Sequence, residues 1–260
     1  MDAEIITEIQ KDYMYTLIKR GERIDGRALD EYRPISIETG LIDKAEGSAR
    51  VRIGDSQVLV GVKIQTGEPF PDTPDKGVII TNAELVPLAS PSFETGPPNP
   101  ESVELARVVD RGVRESGAID LSKLCIEEGE KVWMIFIDIH ILDHDGNLID
   151  AAALGAIAAL LTTKIPKKRY GLGEEDEDLS VKDIPVAVTA IEFEGEIILD
   201  PNQYEEKIAS SKITAISNTD GALSGMQMSG IESLDEETVN KMVGLAIEKS
   251  KEIREKFLEI

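Results

Sequence analysis

The sequence predicts an α+β fold in which two similar halves, about 21–130 and 131–260, form one compact unit behind an N-terminal helix at 4–20. Three observations carry this. Strand-length apolar runs separated by Gly, Asp and Ser occur at 35–65 and again at 186–230. Each group of strands leads to a segment of helical period, at 99–116 and from Ser233 to the C-terminus. No Gly- or Ser-rich linker separates them, and 260 residues can bury one large core or two joined halves.

Taken in order, residues 4–20 read as an amphipathic helix with Ile5, Ile6, Ile9, Tyr13 and Leu17 on one side. Gly21 to Arg33 is a charged extended arm centred on Arg23-Ile24-Asp25-Gly26-Arg27. Strands follow at 35–41, 47–53 and 57–65, the last two joined by a Gly54-Asp55-Ser56 hairpin. A Pro/Gly-rich stretch from 67 to 100 contains one further apolar strand at 78–88. Asn99 is a favourable N-cap and Pro100 a favourable first helical residue, opening a helix to about Ser116. Lys131–Leu142 crowds apolar residues as a mostly buried strand does; Asp145-Gly146 turns the chain, and Ala151–Leu161 is a small-residue helix. Val186–Phe193 and Glu196–Leu199 form a hairpin across Glu194-Gly195. Ile213–Ser217 and the Gly- and Met-rich 222–230 form the next pair, and Ser233 with Glu236 makes a capping box for the last helix.

The formal charge of −22 excludes binding of nucleic acid through the overall field. RNA contact must come from a local basic patch or a basic partner. No run of about 18 apolar residues occurs and the first residues are acidic, so neither a membrane span nor a secretory leader is expected. The single cysteine, Cys125, fits a reducing cytoplasm and is expected as a buried structural thiol.

A strand feeding a helix N-terminus through a tight turn is a ready anion site, because free N–H groups and the helix dipole both favour negative charge. The turn here carries Asn147, Leu148, Ile149 and Asp150 in place of phosphate-binding chemistry, and Asp150 is expected to repel an anion. Arg107, Arg111 and Arg114 stand at i, i+4 and i+7 of the 99–116 helix, on one face, with Val103, Leu105, Val109 and Val113 opposite. They can hold phosphate or pair with carboxylates. His140 and His144 with Asp138, Asp143 and Asp145 do not converge on a metal, because His144 lies beyond the turn; no cofactor motif is present either. The acidic run 174–178 reads as a solvated loop, and Lys164, Lys167, Lys168 and Arg169 as solvated surface or a subunit contact.

Arg23-Ile24-Asp25-Gly26-Arg27 with Arg33, Gly47-Ser48-Ala49, the Glu104-Leu105-Ala106-Arg107 helix and the 131–161 block together resemble the RNase PH family over nearly the whole chain. Asp138-Ile139-His140, Asp145-Gly146-Asn147-Leu148 and Thr219-Asp220-Gly221-Ala222-Leu223-Ser224-Gly225 resemble its non-catalytic branch in the archaeal exosome core. The resemblance implies an RNase PH-like fold and a hetero-hexameric ring with a catalytic RNase PH-like paralogue. It also implies RNA-binding cap subunits, single-stranded RNA as substrate, and no cofactor. In active members a Gly-Gly-Ser/Thr-Arg turn holds phosphate; alignment places Asn147, Leu148 and Ile149 there. Two aspartates six apart align with Glu206 and Lys212, and an ammonium cannot coordinate a metal. By the same resemblance Arg107, Arg111 and Arg114 are the RNA contacts. The alternative is an active phosphate-dependent 3′→5′ exoribonuclease with a rearranged site using Asp200 and Glu206.

Overall fold

The chain is described by a computed structural model over residues 8–258. Its helices are α1 (Glu8–Ile18), α2 (Pro100–Glu115), α3 (Leu148–Leu161), α4 (Gln203–Ile208) and α5 (Glu236–Phe257). The strands are β1 (Ile35–Thr39), β2 (Gly47–Ile53), β3 (Ser56–Gly67), β4 (Val78–Leu85), β5 (Cys125–Glu127), β6 (Lys131–Asp143), β7 (Lys164–Ile165), β8 (Glu177–Asp178), β9 (Val186–Phe193), β10 (Glu196–Leu199), β11 (Ser211–Ser217) and β12 (Leu223–Gly230). The α+β class predicted from the sequence holds.

One sheet runs β1-β2-β3-β6-β4, with the short β5 on β6; a second runs β10-β9-β11-β12. All neighbours are antiparallel except β4 on β6, which is parallel and so needs the long 86–130 crossover that contains α2. Helix α3 packs on β2 and β3 of the first sheet and on β9 of the second, so both sheets share one core. That position explains its composition: it is apolar all round, because it meets protein on every side. Gly155 approaches Val60 so closely that an added Cβ would lie 2.8 Å from Val60 Cγ2.

Several expectations are corrected. The predicted α1 residues 4–7 lie outside the described residues; within the helix it is Met14 and Ile18 that are buried, against Ile191, Phe193, Ile198 and Ile208, while Tyr13 is exposed. A second sheet edge, not the main core, decides which face of α1 turns inward. Helix α3 begins at Leu148 rather than Ala151, because Asn147 takes a left-handed conformation (φ 53°, ψ 43°) and releases the next residue into the helix. The cap of α5 is Asp235, whose side chain accepts from the Thr238 N–H, and not Ser233. Val103 is exposed rather than part of the apolar face of α2. Cys125 is only half-buried, because β5 is a short strand at the end of β6. The acidic run is exposed, as expected, but it is tied to the basic cluster: Glu177 pairs with Lys167, and Asp178 with Lys164 at 3.6 Å, as β8 pairs with β7. Arg169 in turn meets the carboxylate of Glu46 at 2.6 Å. No described helix is long and apolar enough to cross a membrane.

Candidate functional site at the start of the buried helix

The turn between β6 and α3 is held by charges from the arm at 21–33. Arg33 donates from Nη1 to Asp145 Oδ2 at 3.0 Å, from Nη2 to Asp200 Oδ1 at 2.7 Å and from Nε to Asp200 Oδ2 at 2.9 Å. Arg27 Nη1 adds a bond to Asp200 Oδ2 at 2.9 Å, and Arg23 is bound to Glu205 and to the carbonyls of Leu199 and Asp200. All three arginines are buried. The arginines that hold Asp200 keep its carboxyl below the usual range in spite of burial.

Asn147 closes this network. Its Nδ2 donates to Asp200 Oδ1 at 2.7 Å and to Asp150 Oδ2 at 2.8 Å. Asp150 does not face the turn; it points into the core and accepts from Tyr32 Oη (2.6 Å), Thr189 Oγ1 (2.7 Å) and the Thr189 N–H (2.9 Å). The expectation that Asp150 repels an anion across the turn is therefore corrected, since its charge is spent inside. Burial raises its pKa to about 6 in spite of these four donors. A carboxylate whose folded pKa lies above its unfolded value keeps its proton longer in the folded state. Its contribution to stability is full below pH 4 and is lost as pH rises from about 4 to about 6, by about 3 kcal/mol. Carbon-13 NMR of the Asp150 carboxyl should give a midpoint near 6, against about 4 for exposed aspartates.

Gly146 (φ 81°) is required at the turn: a Cβ there would lie 2.5 Å from the Asn202 carbonyl carbon and 2.7 Å from the Pro201 oxygen. Gly146→Ala is expected to cost about 3 kcal/mol in denaturant unfolding, because both neighbours are backbone and the conformation is left-handed.

Beside the turn lies a small cavity of about 90 Å³, lined among others by Asn147, Leu148 and Ile149 of the α3 start, Glu206 and Lys212, and Glu101 and Glu104 of α2. Lys212 Nζ pairs with Glu206 Oε1 at 3.3 Å. Burial, with Glu206 and Glu104 nearby, raises the Glu101 carboxyl. The helix N-terminus that would welcome phosphate thus opens on three carboxylates and an ammonium already paired with one of them. Glu101 and Glu104 were missed in the sequence because nothing in α2 says which of its polar residues approach the turn. His144, also at the cavity, stacks on Phe93 and is pushed below the usual imidazole range by burial, while His140 pairs with Glu84 at 3.1 Å. The two histidines do not come together, and the described residues contain no cluster of three or more metal-type ligands.

Asp200 and Glu206 are not equivalent members of a site: Glu206 lines the cavity, whereas Asp200 is fully buried and bound by Arg27, Arg33 and Asn147. Arg107, Arg111 and Arg114 are exposed along one side of α2, opposite the buried Leu105, Val109 and Val113. They differ in freedom. Arg114 is bound to Asp110 at 3.0 Å and to the Ile79 carbonyl at 3.0 Å, while Arg111 makes one long bond, 3.5 Å, to the Met226 carbonyl.

Family models of the 3′ exoribonuclease family match the chain, domain 1 over residues 31–166 and domain 2 over 183–249. The chain is 64% identical to the exosome complex component Rrp42 of Methanocella arvoryzae over 257 residues, covering 99% of this chain and 98% of that protein. In structure it is similar to a chain of the Archaeoglobus fulgidus exosome with RNA bound to the active site (TM-score 0.93, 54% identity, 96% of this chain and 98% of that one). It is also similar to a chain of an archaeal exosome core (TM-score 0.89, 50% identity, 97% of each chain). With both halves of the family pattern matched in order and the RNase PH-like fold shared over almost the full length, the chain belongs to the RNase PH family of 3′ exoribonucleases.

Proposed function

We propose that this chain is a non-catalytic subunit of an archaeal exosome ring. In this reading it shapes the active site of a catalytic RNase PH-like paralogue and helps hold single-stranded RNA during 3′→5′ phosphorolysis. The observation that carries it is the state of the turn: Asn147 is committed to Asp150 and Asp200, Leu148 and Ile149 replace phosphate-binding side chains, and the space in front is acidic. Lys212, paired with Glu206, removes the second acid independently. The similarity to Rrp42 proteins supports the assembly, a hetero-hexameric ring under RNA-binding cap subunits in the cytoplasm, with the chain's two similar halves as one unit. Arg107, Arg111 and Arg114 are the RNA contacts of this reading, with Arg107 and Arg111 carrying most of it.

The competing reading, an active exoribonuclease using Asp200 and Glu206, is disfavoured by the burial and full engagement of Asp200. The two are separated by assaying labelled single-stranded RNA with inorganic phosphate. The isolated chain is expected to release no nucleoside diphosphates, and the ring with its paralogue to shorten RNA from the 3′ end. Robust shortening by the isolated chain overturns the proposal.

A further inference from the structure

The cavity of about 90 Å³ beside the start of α3 is negative, although a helix N-terminus favours an anion. Its charged lining residues are Glu101 and Glu104 of α2, Glu206 of α4 and Lys212 of β11. Lys212 is paired with Glu206. His144, the remaining titratable group of the lining, is pushed below the usual imidazole range by burial and so is uncharged at pH 7. Within the lining this leaves two carboxylates without a cation. Glu104 accepts only from the neutral Gln227 Nε2, at 3.0 Å. Burial, then Glu206 and Glu104 against the pull of Lys212, raise the Glu101 carboxyl.

An independent observation comes from the uncharged part of the lining. Asn147 is 1% exposed, and its buried Oδ1 has no hydrogen-bond partner, while its Nδ2 is committed to Asp150 and Asp200. A buried acceptor without a donor costs the folded chain its lost hydration, so a donor arriving beside Asn147 is favoured. Leu85, Leu105 and Leu148 make much of the remaining wall aliphatic.

These features select a ligand chemistry. An anion is repelled, and a metal ion needs convergent ligands, of which the described residues hold no cluster of three or more. The volume is far below the roughly 300–1,000 Å³ of pockets that take drug-sized ligands, so a nucleotide does not fit. A primary ammonium carries one positive charge and three donors, which suits separated acceptors, and an alkyl stem suits the leucines.

We propose that this cavity binds a primary alkylammonium group, its nitrogen held by Glu101, Glu104 and the Asn147 Oδ1 and its alkyl stem against Leu105 and Leu148. The group has two sources, a free aliphatic diamine or a lysine side chain of a neighbouring subunit. The cavity is formed by this chain alone, and its preference for ammonium does not depend on the ring.

The test is titration of the free chain with 1,4-diaminobutane, read by the methyl NMR signals of Leu105 and Leu148. Salt at about 0.15 M screens charges more than about 8 Å away. Saturable shifts are expected. Tetramethylammonium, which has the charge and no N–H donor, should bind at least about tenfold more weakly. The Glu101→Gln, Glu104→Gln variant removes no buried contact of α2, so it should stay folded and bind the diamine about tenfold more weakly. The Glu174→Gln, Glu175→Gln variant removes the same charge from the exposed acidic loop and should bind it unchanged. Equal binding of tetramethylammonium or magnesium ion, or equal loss in both variants, would mean only general attraction to a chain of charge −22 and overturns the site. Absence of saturable shifts overturns it as well. In the ring assembled with the catalytic paralogue, retained diamine binding assigns a free amine. Methyl signals already at their bound positions and unmoved by diamine assign a lysine of the neighbour. Signals at their free-chain positions that diamine no longer moves overturn a role for the site in the assembly.

Discussion

Asp200→Asn is expected to destabilise the chain by about 4 kcal/mol, the largest single effect, because it leaves Arg27 and Arg33 buried opposite a neutral amide. Asparagine matches the carboxylate in size and tolerates the positive φ of 47° at this position, so the loss is one of charge and acceptors rather than of shape. Urea unfolding at pH 7 measures it. The pH dependence supplies the control. Asp200 titrates below its unfolded value, so its stabilisation is fully present above about pH 4 and disappears as pH falls through the lower folded pKa. The variant should therefore lose less stability than the wild type on acidification below pH 4. Equal acid profiles would mean that Asp200 is not the group holding the arm to the turn.

Replacing Arg107 and Arg111 together by Ala in the assembled ring is expected to weaken binding of single-stranded RNA about tenfold per residue, since a hydrogen bond to a charged group contributes about 1.5 kcal/mol. The slope of log affinity against log salt should fall by about 1.4, at about 0.7 per phosphate contact on a single strand. Arg114→Ala should cost less than about threefold, because its guanidinium is already shared between Asp110 and the Ile79 carbonyl. Titration of a fluorescent oligonucleotide at several salt concentrations reads both quantities. An unchanged slope in the double variant would assign these arginines to protein contacts instead. Since none of the three lies in the buried face of α2, the variants should keep their melting temperatures.

Much of the architecture was legible along the chain because it depends on local rules. Asn99 and Pro100 place the start of α2, Gly54-Asp55 and Glu194-Gly195 place two hairpins, and the apolar density of 131–142 marks the long strand between β3 and β4 of the first sheet. Where prediction failed, a distant neighbour decided. Tyr13 sits on the outward face of α1 because Ile191 and Phe193 receive Met14 and Ile18. Asp235 replaced Ser233 as cap, a difference of two residues within a run that offers two capping side chains. The acidic and basic runs at 174–178 and 164–169 each read as solvated alone, and they lie together because β7 and β8 pair.

The candidate site divides in the same way. By itself the sequence determined that Asn147, Leu148 and Ile149 stand at the turn and that Lys212 follows Glu206 by six residues, because these are statements about residue identity. Only the tertiary structure decided how those residues are engaged. Arg33 and Asp200 are 167 residues apart in the chain, and no periodicity or spacing connects them. Their pairing in a water-poor interior, with Asn147 between Asp150 and Asp200, makes the start of α3 a rigid electrostatic joint. Coulomb interactions and burial depend on distance in space, so the charges of the arm acquire their meaning only once the two sheets close around α3.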